Sequence, residues 1–118
     1  MNDKNIWMAL YLGDYLRDTN RLNTEQHGAY LLILMDYYIN GCPPDDDAIL
    51  AQITKLDIVR WKKTRPALEN FFVIKNGVWW NGRAEREINK AAALRKRSQK
   101  NGKLGGRPSK GGKGKNNV

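Results

Sequence analysis

The amino-acid sequence predicts a mainly α-helical chain with one small β-hairpin, ordered as a winged helix-turn-helix and followed by a basic C-terminal helix and a disordered tail. Three observations carry that expectation. A long apolar helical pattern over 24–40 has start and stop signals at its two ends. Two further helical patterns are separated by only a few residues around Asp57, and Asn76-Gly77 divides two β-favouring runs. Asn-Gly in that position is a strong hairpin signal, because both residues tolerate the positive φ of a type I′ turn.

The elements follow in chain order. Ile6 to Leu16 contains Trp7, Leu10, Tyr11, Tyr15 and Leu16, and is expected to pack on the next helix as a short strand or helix. For the helix Thr24 to Asn40, Asn23 is the expected N-cap and Gln26 completes a capping-box pair, while Gly41 and Pro43-Pro44 stop it. Its apolar residues leave almost no polar side, which places it at the centre of the fold. Asp45-Asp46-Asp47 then precedes Ile49, Leu50 and Ile53. Carboxylates in a first turn cap free N–H groups and suit the positive end of the helix dipole. A metal-binding reading of the triplet has no accompanying ligand cluster to support it.

Asp57 is the expected N-cap of a helix running from Ile58 toward Asn70. Its stripe of Ile58, Trp61, Leu68 and Phe72 should face the core, with Arg65 on that side and Arg60, Lys63, Ala67 and Asn70 opposite. Pro66 removes an internal hydrogen bond and predicts a kink or restart near Thr64. Two helices joined by so short a turn form a helix-turn-helix, and the hairpin after them would be the wing, with Lys75 and Asn76 near its tip.

Charge divides the chain more sharply than any motif. Residues 1–82 carry nine Lys or Arg against ten Asp or Glu, a net of −1, whereas residues 83–118 carry twelve against Glu85 and Glu87, a net of +10. The expected organisation is therefore a winged-helix-like domain over 1–82, a basic helical extension over 83–100, and a disordered Gly/Lys-rich tail over 101–118. A neutral body with a cationic arm is the usual layout for a polyanion, most often nucleic acid; a solubilising tail is the bland alternative. The candidate contacts are Arg60 and Lys63 on the second helix and Lys75 and Asn76 at the wing. The arm adds Arg83, Arg86, Lys90, Arg95, Lys96, Arg97, Lys100, Lys103, Arg107 and Lys110. Gly106-Arg107-Pro108 with Lys110 resembles an AT-hook core that lacks its first arginine. In Trp79-Trp80, adjacent strand residues face opposite ways, so one ring points outward and is a candidate for stacking on a base.

Catalysis is not expected. The chain has one histidine, His27, and one cysteine, Cys42, and neither belongs to a nucleophile–base–orienter set. Zinc would need about four such ligands, so no metal or other cofactor is expected. His27-Gly28 is read as a place where another element approaches closely, with the imidazole hydrogen-bonded. A lone cysteine suits a reducing compartment, and the apolar run Ala29 to Ile39 is interrupted by Asp36 and too short to span a bilayer. The expectation is a cytoplasmic protein with no membrane partner.

Several stretches resemble the YdaU-like family of phage and prophage proteins: 13–38 (GDYLRDTNRLNTEQHGAYLLILMDYY), 43–53 (PPDDDAILAQI), 60–72 (RWKKTRPALENFF), and the hairpin running into the basic helix. The resemblance implies a winged-helix-like domain near the N-terminus of phage replication proteins, some of them replisome organisers. The expected function is DNA binding in phage or prophage replication initiation, with the arm on the phosphates of duplex DNA. The alternatives are an adaptor that docks on another replication protein, with nonspecific tethering by the arm, and RNA binding by the arm.

Overall fold

The structure, a computed structural model, describes residues 6–105, with side chains to Arg97. Its elements are α1 (Leu12–Asp18), α2 (Thr24–Asn40), α3 (Asp47–Thr54), α4 (Ile58–Glu69), β1 (Val73–Lys75), β2 (Val78–Trp80) and α5 (Gly82–Gly105). The result is a mainly helical chain with one two-stranded antiparallel hairpin. It divides into two compact units, Met1–Glu85 and Arg86–Val118, and the first turn of α5 belongs to the first of them.

Local chemistry sets the helix boundaries. The Asn23 side chain accepts the Gln26 N–H at 2.8 Å, and the Gln26 side chain accepts the Asn23 N–H at 2.9 Å, a complete capping box. Gly41, at φ +90°, ends α2, which buries Ala29, Ile33, Leu34 and Tyr37. In the acidic triplet only Asp46 caps, accepting the N–H groups of Ala48 and Ile49. Lys55 turns the chain out of α3 with a left-handed φ of 65°, and Asp57 caps α4 through the Arg60 N–H.

Four expectations about α1, α2 and α4 are corrected. Residues 6–11 form no regular element, and α1 buries none of its side chains. Trp7 is 75% exposed, and Leu10, Tyr11, Leu12 and Leu16 are also exposed. The contact of α1 with α2 runs instead through Tyr15, which stacks on Tyr30 and hydrogen-bonds His27. No heavy atom lies within 4 Å of a Cβ built on Gly28, so no close approach occurs there. On α4, Ile58 is 41% exposed, and Thr64 is buried with Trp61 and Leu68. At about 100° per residue, Ile58 lies roughly 60° from Trp61 on the side away from Thr64, at the margin of the buried arc. The helix also continues through Pro66 without a break, because Pro66 and Lys62 are exposed and water can take the carbonyl that the proline leaves unpaired.

Val73 pairs with Trp80, Ile74 with Trp79 and Lys75 with Val78, around a turn in which Asn76 and Gly77 have φ of 53° and 75°. Trp79 is fully buried, with its ring 5.9 Å from Trp61 and 5.1 Å from Phe72. The hairpin therefore packs on α4, as its apolar alternation requires. The connector between α2 and α3 lies along the other side of β2: Trp79 N–H donates to the Pro43 carbonyl at 2.9 Å, and Asp45 N–H to the Gly77 carbonyl at 2.8 Å.

In the second unit α5 is longer than expected. It runs five residues past Lys100, to Gly105. One internal glycine, Gly102, costs only about 1 kcal/mol, and its neighbours Lys103 and Leu104 are good helix formers. The remainder of the expected tail, with Arg107 and Lys110, lies outside the described residues. Among the described residues no helix is long and apolar enough to cross a membrane.

Candidate nucleic-acid interface

In the first unit, the basic candidates differ in what they already hold. Arg60 is ion-paired with Glu25 on α2. Arg83 reaches Asp14 at 3.1 Å and lies over the Tyr11 ring at 5.2 Å. Lys75 sits 4.9 Å over the ring of Trp80, the less buried of the tryptophan pair, and Asn76 forms the exposed turn beside it. Lys63 is exposed and forms no ion pair with a described residue. The exposed face of α4 is Val59, Lys62, Lys63, Pro66 and Asn70. Lys62 was not among the sequence candidates, although its spacing from Val59 and Pro66 places it there.

The acidic triplet explains why another body arginine, Arg65, is unavailable. Arg65 makes ion pairs with Asp45 and Asp47, each at 2.8 Å, and with Glu69. The same two aspartates accept the indole N–H groups of Trp79 and Trp61, at 3.0 and 2.8 Å. Burial would lower the Arg65 pKa, but hydrogen bonds to Glu69, Asp47 and Asp45 outweigh it and hold the value above the ordinary one. Asp47 is held below its ordinary carboxylate value, first by the Trp61 N–H and then by Arg65. Asp45 and Asp47 thus serve the core rather than the cap. The signal was present in the sequence: a buried tryptophan needs an acceptor, and a core-side arginine needs an anion.

Tyr37 gathers the chemistry around Cys42. Its hydroxyl accepts the Asn81 N–H at 3.1 Å and donates to Glu85, while the Cys42 thiol lies 3.2 Å away. Burial raises the tyrosine pKa; the Asn81 N–H opposes this and Cys42 and Glu85 add to it. His27 Nδ1 meets the Tyr15 hydroxyl at 2.7 Å. The histidine and the cysteine are therefore engaged with different partners and do not converge. Among the described residues no group of three His, Cys, Asp or Glu could hold a metal ion.

In the second unit, Arg86, Lys90 and Arg97 are exposed and fall within about 40° of one another around α5, given 100° per residue. At 1.5 Å per residue the three span roughly 16 Å of helix. Arg95 and Lys96 are exposed on other sides of α5, and none of the five forms an ion pair with a described residue. Lys100 and Lys103 lie on the same helix backbone.

Fold and charge together define a class: a small helical domain with a hairpin, continued by a cationic helix. Residues 6–89 match the family described as a protein of unknown function (DUF1376), and the chain belongs to that family. It is 39% identical over 82 residues to the uncharacterized protein YdaU of Escherichia coli (strain K12). That match covers 70% of this chain and 28% of YdaU, so the chain spans less than a third of that relative's length. The resemblance read from 13–38, 43–53 and 60–72 thereby becomes family membership. No solved structure matches.

Proposed function

We propose that this protein binds duplex DNA, with the cationic helix supplying most of the affinity through phosphates. The α3–α4 pair and the hairpin act together as a winged helix that positions the body. The observation that carries the reading is the state of the cations: Arg86, Lys90, Arg95, Lys96 and Arg97 are exposed and hold no described carboxylate, in a segment whose net charge is +10 from Arg83 onward. Such a helix repels itself, and phosphates relieve the repulsion. On α4 the exposed Lys62 and Lys63 add a weaker contact beside Val59. The setting we propose, replication initiation of a phage or prophage, rests on the family resemblance. No catalytic or cofactor role is part of the reading.

The second reading, an adaptor for another replication protein, is favoured by a different observation: Trp7, Leu12 and Leu16 are exposed at the edge of the body. Fluorescence anisotropy on a labelled duplex at several salt concentrations separates the two. The full chain should give a log–log salt slope near −4 or −5 if about five phosphates are neutralised. A chain ending at Glu85 should bind weakly with a shallow slope. The cut falls there because Ala84 is buried and Glu85 is bonded to Tyr37, so a cut at Gly82 would damage the body itself. If the shortened chain binds as tightly as the full one, the arm-driven reading is wrong.

A further inference from the structure

Among the residues of the first unit, a cavity of about 330 Å³ opens between the α1–α2 connection and the C-terminal end of α4. Asp18, Asn20, Arg21 and Leu22 line one side, and Asn70 and Phe71 the other. Arg17, Arg60, Arg65 and Arg83 all form ion pairs. Arg21 alone among the arginines of 6–85 forms none with a described residue, and it faces this cavity. The Asn20 side chain likewise makes no hydrogen bond with a described residue.

We infer that this cavity takes an unpaired guanine base of a nucleic acid strand, an assignment that rests on the nucleic-acid reading above. The lining has both signs. Arg21 offers paired N–H donors, whereas Asp18 offers carboxylate oxygens, and only one of these is engaged, by Arg17 at 3.4 Å. The C-terminal end of a helix carries partial negative charge, so α4 and Asp18 together disfavour a phosphate inside. A planar ligand with acceptors on one edge and donors on another fits instead. Guanine is the base with that pattern: N7 and O6 accept from a bidentate guanidinium, and N1–H and the N2 amine donate to a carboxylate. Phe71, whose ring packs on Tyr30 with centroids 4.9 Å apart, brings an aromatic residue to the lining, the usual stacking partner of an unstacked base. The base must be unpaired, because its Watson–Crick edge is the edge that Asp18 receives. A site of this kind matches a protein that works where a duplex has been opened.

The test uses the full chain. Deoxyguanosine, which lacks the phosphate that the arm would attract, is titrated while the backbone amides of Asn20, Arg21, Asn70 and Phe71 are followed by NMR; deoxycytidine is the control. Saturable shifts with deoxyguanosine alone, lost in Arg21→Ala and in Asp18→Asn, are expected. In parallel, a twelve-nucleotide oligothymidylate with one central guanine should bind about tenfold more tightly than all-thymine. Arg21→Ala should erase that difference, so that the guanine-containing oligonucleotide binds no more tightly than all-thymine. Equal shifts with the two nucleosides, no shifts, or equal affinity for the two oligonucleotides would overturn the guanine site. Because the arm supplies most of the all-thymine affinity, failure of the full chain to bind either oligonucleotide marks failure of the nucleic-acid reading itself.

Discussion

In the first unit most arginines are tied to a carboxylate of the same unit, whereas the described cations of the second unit's helix are tied to none. Arg65 joins three carboxylates, Arg60 joins α4 to α2, and Arg83 joins α5's first turn to α1. Arg86, Lys90 and Arg97 project from α5 with no described partner. The contrast teaches that a count of basic residues is a poor guide to the charge available to a ligand. Two of the candidates chosen from sequence, Arg60 and Arg83, are already ion-paired, while the overlooked Lys62 forms no ion pair with a described residue.

The strongest test of that contrast is to neutralise three arm cations. Arg86→Ala with Lys90→Ala and Arg97→Ala should lower the salt slope by about three and weaken duplex binding about 100-fold at 0.1 M salt. The unfolding temperature of the body should stay where it is. The converse is Arg65→Met, which leaves Asp45, Asp47 and Glu69 facing one another. It should cost about 2 kcal/mol in denaturant unfolding, a value reduced from the buried-pair range for partial exposure, and leave the salt slope unaltered. If Arg65→Met instead changes the slope, the division between structural and available charge fails.

Acid should expose the same network. Asp47 has its folded pKa held below the ordinary 3.8, so the unfolded chain takes up a proton first as pH falls. The stability it contributes is therefore complete above about pH 4 and is lost as pH drops through the folded value. Urea midpoints measured from pH 5 to pH 2.5 should fall in this window, and fall less in Arg65→Met. Gly77→Ala should cost about 1 kcal/mol in the same assay, since alanine is strained at φ +75°. Smallest of all, Asp14→Asn removes exposed pairs with Arg17 and Arg83 and should change stability by about 0.5 kcal/mol or less.

What could be read in the sequence was what is decided within a few residues. Asn23 with Gln26, Asp46, Asp57 and Asn76-Gly77 each act on N–H groups or φ values next to them, and each does as its local pattern requires. Partners distant in the chain were not legible. Asp47 meets Trp61 and Arg65 across fourteen and eighteen residues, and nothing in the triplet says which of three adjacent carboxylates turns inward. Periodicity also identifies a helix face without saying where its cover stops, which is why Ile58, Trp7, Leu10, Tyr11, Leu12 and Leu16 proved exposed. Of the candidate interface, the charge asymmetry was plain, because it needs no geometry. Arg21 and its cavity went unseen, because they exist only once the C-terminal end of α4 meets the α1–α2 connection.

The connector along β2 has a consequence for how this chain behaves at high concentration. A two-stranded hairpin normally offers two open edges to other strands, and the tryptophan-rich β2 would be the more adhesive of them. Here Pro43 already accepts the Trp79 N–H, and Pro44, bridged to Val78, has no N–H with which to extend a ladder. The pair of prolines that follows α2 thus also seals the edge of the hairpin about thirty-five residues later in the chain, and the fold protects itself against edge-to-edge aggregation at the strand that most needs it.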